Sequence, residues 1–241
     1  MEHIVIKNAT LGYQKSEPVL HDLNLEFYPG DFIGIVGLNG TGKSTLLKSL
    51  CGLLPLISGS INLDGISIEA FSLQALAKKI SVVLTEKING FNLTAFDVVA
   101  SGQMPYTDAF NRLSKQHISI VESAIYQCGI KGHSHKLMSA LSDGLFQKTI
   151  IAKALAQQTQ VMLLDEPSAF LDYASKHDLF LLLKKLADRD EKCILVSSHD
   201  LDLLLKYCYK LLIIANGSAE LISVKDAAEN ALFKKIGGGF I

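Results

Sequence analysis

Apolar and polar residues alternate across 19–27, with Leu23, Leu25 and Phe27 sharing one face, and residues 4–6 have the same extended character. These two runs predict an antiparallel lead-in sheet. Residues 32–36 form a short apolar run that meets a glycine-rich turn, and 44–50 then take up helical spacing, so the order is strand, loop, helix. Apolar runs at 81–84, 161–164 and 193–196 lack alternation, as expected of parallel strands covered on both faces. Between 91 and 144 the texture changes. Residues 97–100 and 114–128 are helically periodic with no strong strand signal, which predicts an inserted helical lobe. Leu179, Leu182, Leu183 and Leu186 make a helical core stripe. A last strand at 210–215 meets Asn216-Gly217, the turn dipeptide of a tight hairpin, and 218–222 returns.

Composition narrows the class. The 241 residues are 49% hydrophobic and 20% charged, enough to fill the core of one domain and too apolar for a disordered chain. Lys plus Arg number 23 against 24 Asp plus Glu, so no basic footprint for nucleic acid or anionic lipid exists, and membrane association is expected through a protein partner. Cys51, Cys128, Cys193 and Cys208 stand far apart with no C-x-x-C pair, which predicts neither a zinc site nor a disulfide framework and fits a reducing, cytosolic compartment. Met1-Glu2-His3 lacks the charged and apolar regions of an export leader. The most apolar tract, 201–215, is interrupted by Asp202, Lys206 and Lys210, so no membrane span is expected.

The chemistry begins at the glycine-rich turn. Gly37-Leu38-Asn39-Gly40-Thr41-Gly42-Lys43-Ser44 satisfies G-x-x-x-x-G-K-[ST] between a strand and a helix, the context this phosphate loop requires. Its glycines let successive N–H groups point at phosphate oxygens, and the helix adds its positive dipole end. Lys43 is placed to neutralise the outer phosphates and Ser44 to ligate magnesium; Thr45 completes the candidate nucleotide-binding set. The run 161–166 then delivers two carboxylates at the ligand end of a buried strand. Asp165 would face the magnesium, and Glu166 can reach the water that attacks the γ-phosphorus; the bland alternative is a solvated acidic turn before Pro167.

Leu141-Ser142-Asp143-Gly144, followed in order by the strand with Asp165-Glu166, by Ser168-Ala169-Phe170-Leu171-Asp172 and by Ser197-Ser198-His199-Asp200, resembles the signature set of ATP-binding cassette (ABC) ATPases. The resemblance covers essentially residues 4–222. It implies an α/β fold with a P-loop NTPase core, an antiparallel β lead-in sheet and an inserted α-helical subdomain. On that basis 1–241 is one domain, with a nucleotide-binding core lobe (1–86 and 145–222), a helical lobe (87–144) and a C-terminal tail (223–241). It also implies that Tyr13 is the platform for adenine, although the residues alone fit a core tyrosine as readily. Ser142, Asp143 and Gly144 would complete the site of an opposite subunit, with an ordinary helix cap as the alternative for Ser142. Asp172 would communicate across the dimer or simply cap the next helix. His199 would be the switch residue that touches the γ-phosphate and bridges to Glu166.

Two positions depart from the family pattern. Glu86 stands where a glutamine is usual; a carboxylate there can ligate magnesium but adds charge beside the triphosphate. Asp143 replaces the first signature glycine and brings an anion towards a partner's γ-phosphate. Residues 92–107 are similar to the N-L-T-V-x-E-x-V-x-x-G-R-x-P-[HY] segment of importers for iron-siderophore, haem and cobalamin, with Gln103 in place of the usual arginine. The resemblance thus implies an ATP hydrolase using ATP and Mg2+, peripheral at the cytoplasmic face of the membrane. Its partners would be transmembrane permease subunits, a second and identical cassette and, indirectly, a solute-binding protein, with no nucleic acid. The alternatives are a cassette working without a permease in cofactor assembly or as a mechanical scaffold, and a small-molecule P-loop kinase, which the 141–144 signature disfavours. His133 and His135 read as a surface loop, since no Cys or carboxylate stands at ligand spacing.

Overall fold

A computed structural model describes residues 3–14, 16–84, 92–108, 110 and 112–237, the last three by backbone alone. Strands β1 (Ile4–Leu11), β2 (Leu20–Phe27), β4 (Leu56–Leu63) and β5 (Ile66–Ser67) form an antiparallel sheet in the order β2-β1-β4-β5. The lead-in sheet is therefore present and twice as wide as the sequence predicted. A six-stranded sheet runs β10-β9-β3-β8-β7-β6, from β3 (Phe32–Val36), β6 (Ile80–Val83), β7 (Val161–Leu164), β8 (Cys193–Ser197), β9 (Lys210–Ala215) and β10 (Ser218–Ser223). β9, β3, β8, β7 and β6 pair in parallel, and β10 returns antiparallel through Asn216 and Gly217, both at positive φ as such a turn requires.

Alternate residues of the parallel strands enter different cores, which is why no polar face shows in their sequence. Ile33, Ile35, Leu163 and Leu195 pack with the lead-in sheet around helix α1 (Lys43–Leu50), whose Leu46, Leu47 and Leu50 are fully buried. Phe32, Val36, Met162, Leu164, Ile194 and Val196 pack on the other side against α6 (Tyr173–Asp190) and α7 (Leu201–Tyr207). Of the predicted leucine stripe, Leu179, Leu183 and Leu186 are buried and Leu182 is half-buried. Gly34 lets α7 approach: a Cβ there would stand 2.9 Å from Leu204 Cδ2.

The helical segment contains α3 (Ala95–Ala100), capped reciprocally by Thr94 and Asp97, and α4 (Lys115–Gln127), capped in the same way by Ser114 and His117. Both pack on α5 (Asp143–Ala156). That helix serves two cores, giving Ala152 and Ala156 to the cluster with Val99, Val121 and Ile125, and Ile151 and Ala154 to the sheet side. The 3-10 turn Ser101–Tyr106 lies against the end of α5. There Gln103, the residue that departs from the importer pattern, is buried and donates its amide to the Ala156 carbonyl, satisfying a helix-terminal acceptor. A Cβ on Gly102 would lie 2.4 Å from the Lys153 carbonyl. Gly102→Ala is therefore expected to lower unfolding free energy by about 1–3 kcal/mol, the usual cost of overpacking, read as a shift of the denaturant midpoint. After β10 the chain forms a further helix, α8 (Ala231–Gly237), with Leu232 and Phe233 against the second core. α2 (Leu73–Ala77) precedes β6.

Candidate functional site

The phosphate loop closes on itself by local bonds. Thr41 Oγ1 donates to the Leu38 carbonyl at 2.9 Å, and Lys43 Nζ reaches back across the loop to the carbonyls of Gly37 (2.8 Å) and Leu38 (3.2 Å). Gly37 has no room for a side chain, since a Cβ would meet Thr41 Oγ1 at 2.6 Å and the Ile214 carbonyl at 2.7 Å. Gly42, with φ 108°, caps α1 without any side-chain bond, and no acidic residue occupies the first turn. The first N–H groups of α1 and its dipole therefore suit an anion. Lys43 is only 8% exposed; burial pushes its ammonium below the usual lysine range, against the pull of Glu166 and Asp165.

The carboxylates emerge from β7 into a network spanning three elements. Asp165 accepts from Ser44 Oγ at 2.6 Å on one oxygen and from Ser197 Oγ at 2.7 Å on the other. Ser197 in turn accepts from the Glu166 N–H at 2.9 Å. Glu166 sits at φ 48°, a left-handed conformation that a glutamate holds only when its surroundings impose it. Its Oε1 is buried and lies 3.3 Å from His199 Nε2, an ion pair when the imidazole is protonated, without the alignment of a hydrogen bond. Burial raises the Glu166 carboxyl above its ordinary range, more than His199 and Lys43 draw it down. That shift moves it towards the pKa of a working general base. Ser197 was named from the sequence only as the first residue of Ser197-Ser198-His199-Asp200 and given no role; here it bridges the Glu166 N–H and the Asp165 carboxylate.

These groups line one cavity of about 340 Å3, with Tyr13, Val19, Asn39, Gly40, Gly42, Lys43, Ser44, Thr45, Asp165, Glu166 and His199 on its walls. Tyr13 is 62% exposed at this site, so it is not the core tyrosine that the sequence left possible. A larger crevice of about 680 Å3, with Gln160 and Lys192 among its walls, lies by the opposite ends of β7 and β8 and contains none of these residues. The facing hydroxyl of Ser44 and carboxylate of Asp165 are hard oxygen donors of the kind magnesium takes. Glu86 lies outside the described residues. Among the described residues no group of three or more His, Cys, Asp or Glu could hold a metal, His133 and His135 included.

Ser142, Asp143, Gly144 and Asp172 do not join this cavity. Ser142 caps α5, accepting from Leu145 N at 3.4 Å, and both it and Asp143 are exposed. Gly144 faces the Phe170 carbonyl, 3.3 Å from where its Cβ would stand. Asp172 caps α6, accepting from Ser175 N (2.9 Å) and Ser175 Oγ (2.8 Å), bonds that hold its carboxyl below the ordinary range.

A phosphate loop opening a helix under a parallel sheet, with paired carboxylates at the end of a neighbouring strand, defines a P-loop nucleoside triphosphatase. Residues 20–169 match the family described as ABC transporter, and the chain belongs to that family. It is an ABC-type ATP hydrolase. An uncharacterized ABC transporter ATP-binding protein of Methanocaldococcus jannaschii is 41% identical over 87% of this chain and 72% of its own length. The achromobactin transport ATP-binding protein of Dickeya dadantii is 33% identical over 91% of this chain and 81% of its own. A cobalamin import ATP-binding protein of Halobacterium salinarum is 33% identical over 83% of this chain, which spans 50% of that relative's length. Among solved structures, an inward-facing metal-chelate type ABC transporter superposes with a TM-score of 0.84 at 22% identity, covering 99% of this chain and 90% of that one, which shows the fold. A dimeric bacterial ABC transporter cassette gives 0.80 at 25% identity, covering 92% and 98%.

Proposed function

We propose that two copies of this chain bind two ATP molecules between them and, on closing and hydrolysing them, drive a permease that imports a metal chelate of the siderophore, haem or cobalamin kind. The observation that carries the dimer is the split of the site: Ser142 and Asp172 are exposed helix caps, and with half-buried Gly144 they stand away from the cavity that holds Lys43 and Glu166. A hydroxyl, N–H groups and a helix dipole set apart from the chain's own phosphate loop suit the nucleotide of a second copy. The solved dimeric cassette has the same fold. The import reading is supported by the names of the relatives and by residues 92–107. The chain would sit at the cytoplasmic face of the membrane through its permease, with a solute-binding protein acting indirectly; among the described residues no helix is long and apolar enough to cross a bilayer.

In this reading Tyr13 stacks on adenine while Gly37, Asn39, Gly40, Thr41, Gly42 and Thr45 cradle the phosphates. Lys43 leaves the loop carbonyls for the outer phosphate oxygens. Ser44 and Asp165 would hold magnesium, with Glu86 a third candidate, and the ion supplies charge neutralisation across the phosphates. Glu166 takes the proton of the attacking water as its oxygen bonds to the γ-phosphorus and the bond to the ADP oxygen breaks. His199 orients Glu166 and senses the γ-phosphate. Asp143 places an anion at the closing face, where it favours α5 but opposes a partner's phosphate.

Because no single chain owns a whole site, turnover per chain is expected to rise with protein concentration until dimers or permease complexes saturate. Constant turnover per chain down to concentrations where sizing shows only monomer contradicts the shared site. The import reading is tested by purification from membranes: a multi-span subunit should accompany the chain, and a chelate-loaded solute-binding protein should stimulate hydrolysis in vesicles.

A further inference from the structure

Helix α7 begins directly after His199, and its N-cap residue is Asp200, a side chain well suited to capping. Yet Asp200 makes no side-chain cap. Its Oδ2 is held instead by Lys176 Nζ at 2.6 Å, from the first turns of α6. The next residue of α6, His177, places Nδ1 2.9 Å from the Tyr207 hydroxyl at the last turn of α7. Two adjacent residues of α6 therefore grip both ends of α7. Lys176 itself lies one turn beyond Asp172, to whose carbonyl its N–H is bonded at 2.9 Å.

We infer that Lys176 is a positioning residue for hydrolysis: by drawing Asp200 away from the cap of α7, it fixes the turn that presents His199 to Glu166 and ties that turn to the Asp172 face of α6. The His199 side chain is 44% exposed and lies 3.3 Å from the Glu166 carboxylate, on a turn that two further groups hold at Asp200. Ser198 Oγ accepts from Asp200 N at 3.1 Å, and Lys176 holds the Asp200 side chain from the other side. Without Lys176 the carboxylate of Asp200 is released to cap α7, which reorients the residue next to His199. The His177–Tyr207 contact keeps α7 packed, so the change is local. Being a partly exposed ion pair, Lys176–Asp200 adds little to global stability. This inference rests on the proposed roles of Glu166 and His199.

Steady-state hydrolysis of the purified chain tests it, with Lys176→Met, Lys176→Arg and Lys176→Met combined with His199→Ala. Lys176→Met should lower kcat by about tenfold, short of the ~100-fold that a 1 Å misplacement costs, with KM for ATP and the melting temperature unchanged. Lys176→Arg should restore most of the rate. Because Lys176 acts through His199, adding Lys176→Met to His199→Ala should cost nothing more, as residues acting as one unit do. The inference is overturned if Lys176→Met keeps the wild-type kcat, or if its loss is equally large in both backgrounds. Glu166→Gln, run in parallel, separates the two levels: normal turnover in that variant defeats the reading of the site itself, whereas a dead Glu166→Gln beside a normal Lys176→Met defeats the role of Lys176 alone.

Discussion

Glu166→Gln is expected to cut ATP turnover by about 100- to 10,000-fold, the range over which a positioned base contributes, while leaving ATP affinity close to that of the wild type. The amide keeps the shape of the side chain and loses the basic oxygen that lies 3.3 Å from His199 Nε2. The backbone of residue 166, fixed by its N–H bond to Ser197, is unaffected. Hydrolysis by the wild type should fall as pH drops through the raised pKa of Glu166, because the protonated carboxyl cannot accept the proton of water. The residual activity of the variant should lack that limb. Single-turnover and steady-state rates measured across pH check both; near-normal turnover would remove Glu166 from the base role.

Lys43→Met is expected to weaken ATP binding on the order of 100-fold, because it deletes a buried charge whose proposed partner is a phosphate. Folding should survive, since methionine approximates the lysine stem, although the loop carbonyls of Gly37 and Leu38 lose their donor and Glu166 and Asp165 lose a nearby cation. The stabilisation that saturating ATP confers on unfolding should accordingly fall by about 2.7 kcal/mol, the equivalent of that 100-fold. Calorimetric titration and melting curves with and without nucleotide check this, and a variant that ATP stabilises as well as the wild type contradicts it.

Legibility in the sequence followed how local each constraint is. The parallel strands were readable because both faces of each are buried, so their apolar runs are uninterrupted. The hairpin at Asn216-Gly217 was readable because both positions need positive φ. β4 was missed, and β1 was read only to residue 6, for one shared reason. The pairing register of β1 and β4 shifts between Lys7 and Thr10, where Asn8 adopts φ 46° opposite Gly59, whose Cβ position lies 2.3 Å from the Asn8 carbonyl. A bulge of this kind breaks the alternation on which strand recognition depends. α5 looked like the start of the second core segment, and its double duty appears only in three dimensions: Ala152 and Ala156 face the helical cluster while Ile151 and Ala154 face the sheet.

The site shows the same division. Loop and carboxylate residues were legible because their spacing is dictated by phosphate geometry, and the cavity unites Lys43, Ser44, Asp165, Glu166 and His199. Ser197, which bonds to both Asp165 and Glu166, could not be given that role from spacing because its partners lie 31 and 32 residues away, just past the end of the neighbouring strand. Tyr13 was ambiguous because an aromatic beside a strand serves a core or a ligand equally well, and only its exposure decides.

Whether two chains make one complete site is decided most directly by the mass and nucleotide content of Glu166→Gln with saturating ATP, measured by sizing with light scattering and quantified bound nucleotide. The expected result is a dimer carrying two ATP that falls apart when Ser142 is also replaced by a bulky residue such as arginine. A monomer that retains one tightly bound ATP, unaffected by that second substitution, would contradict it.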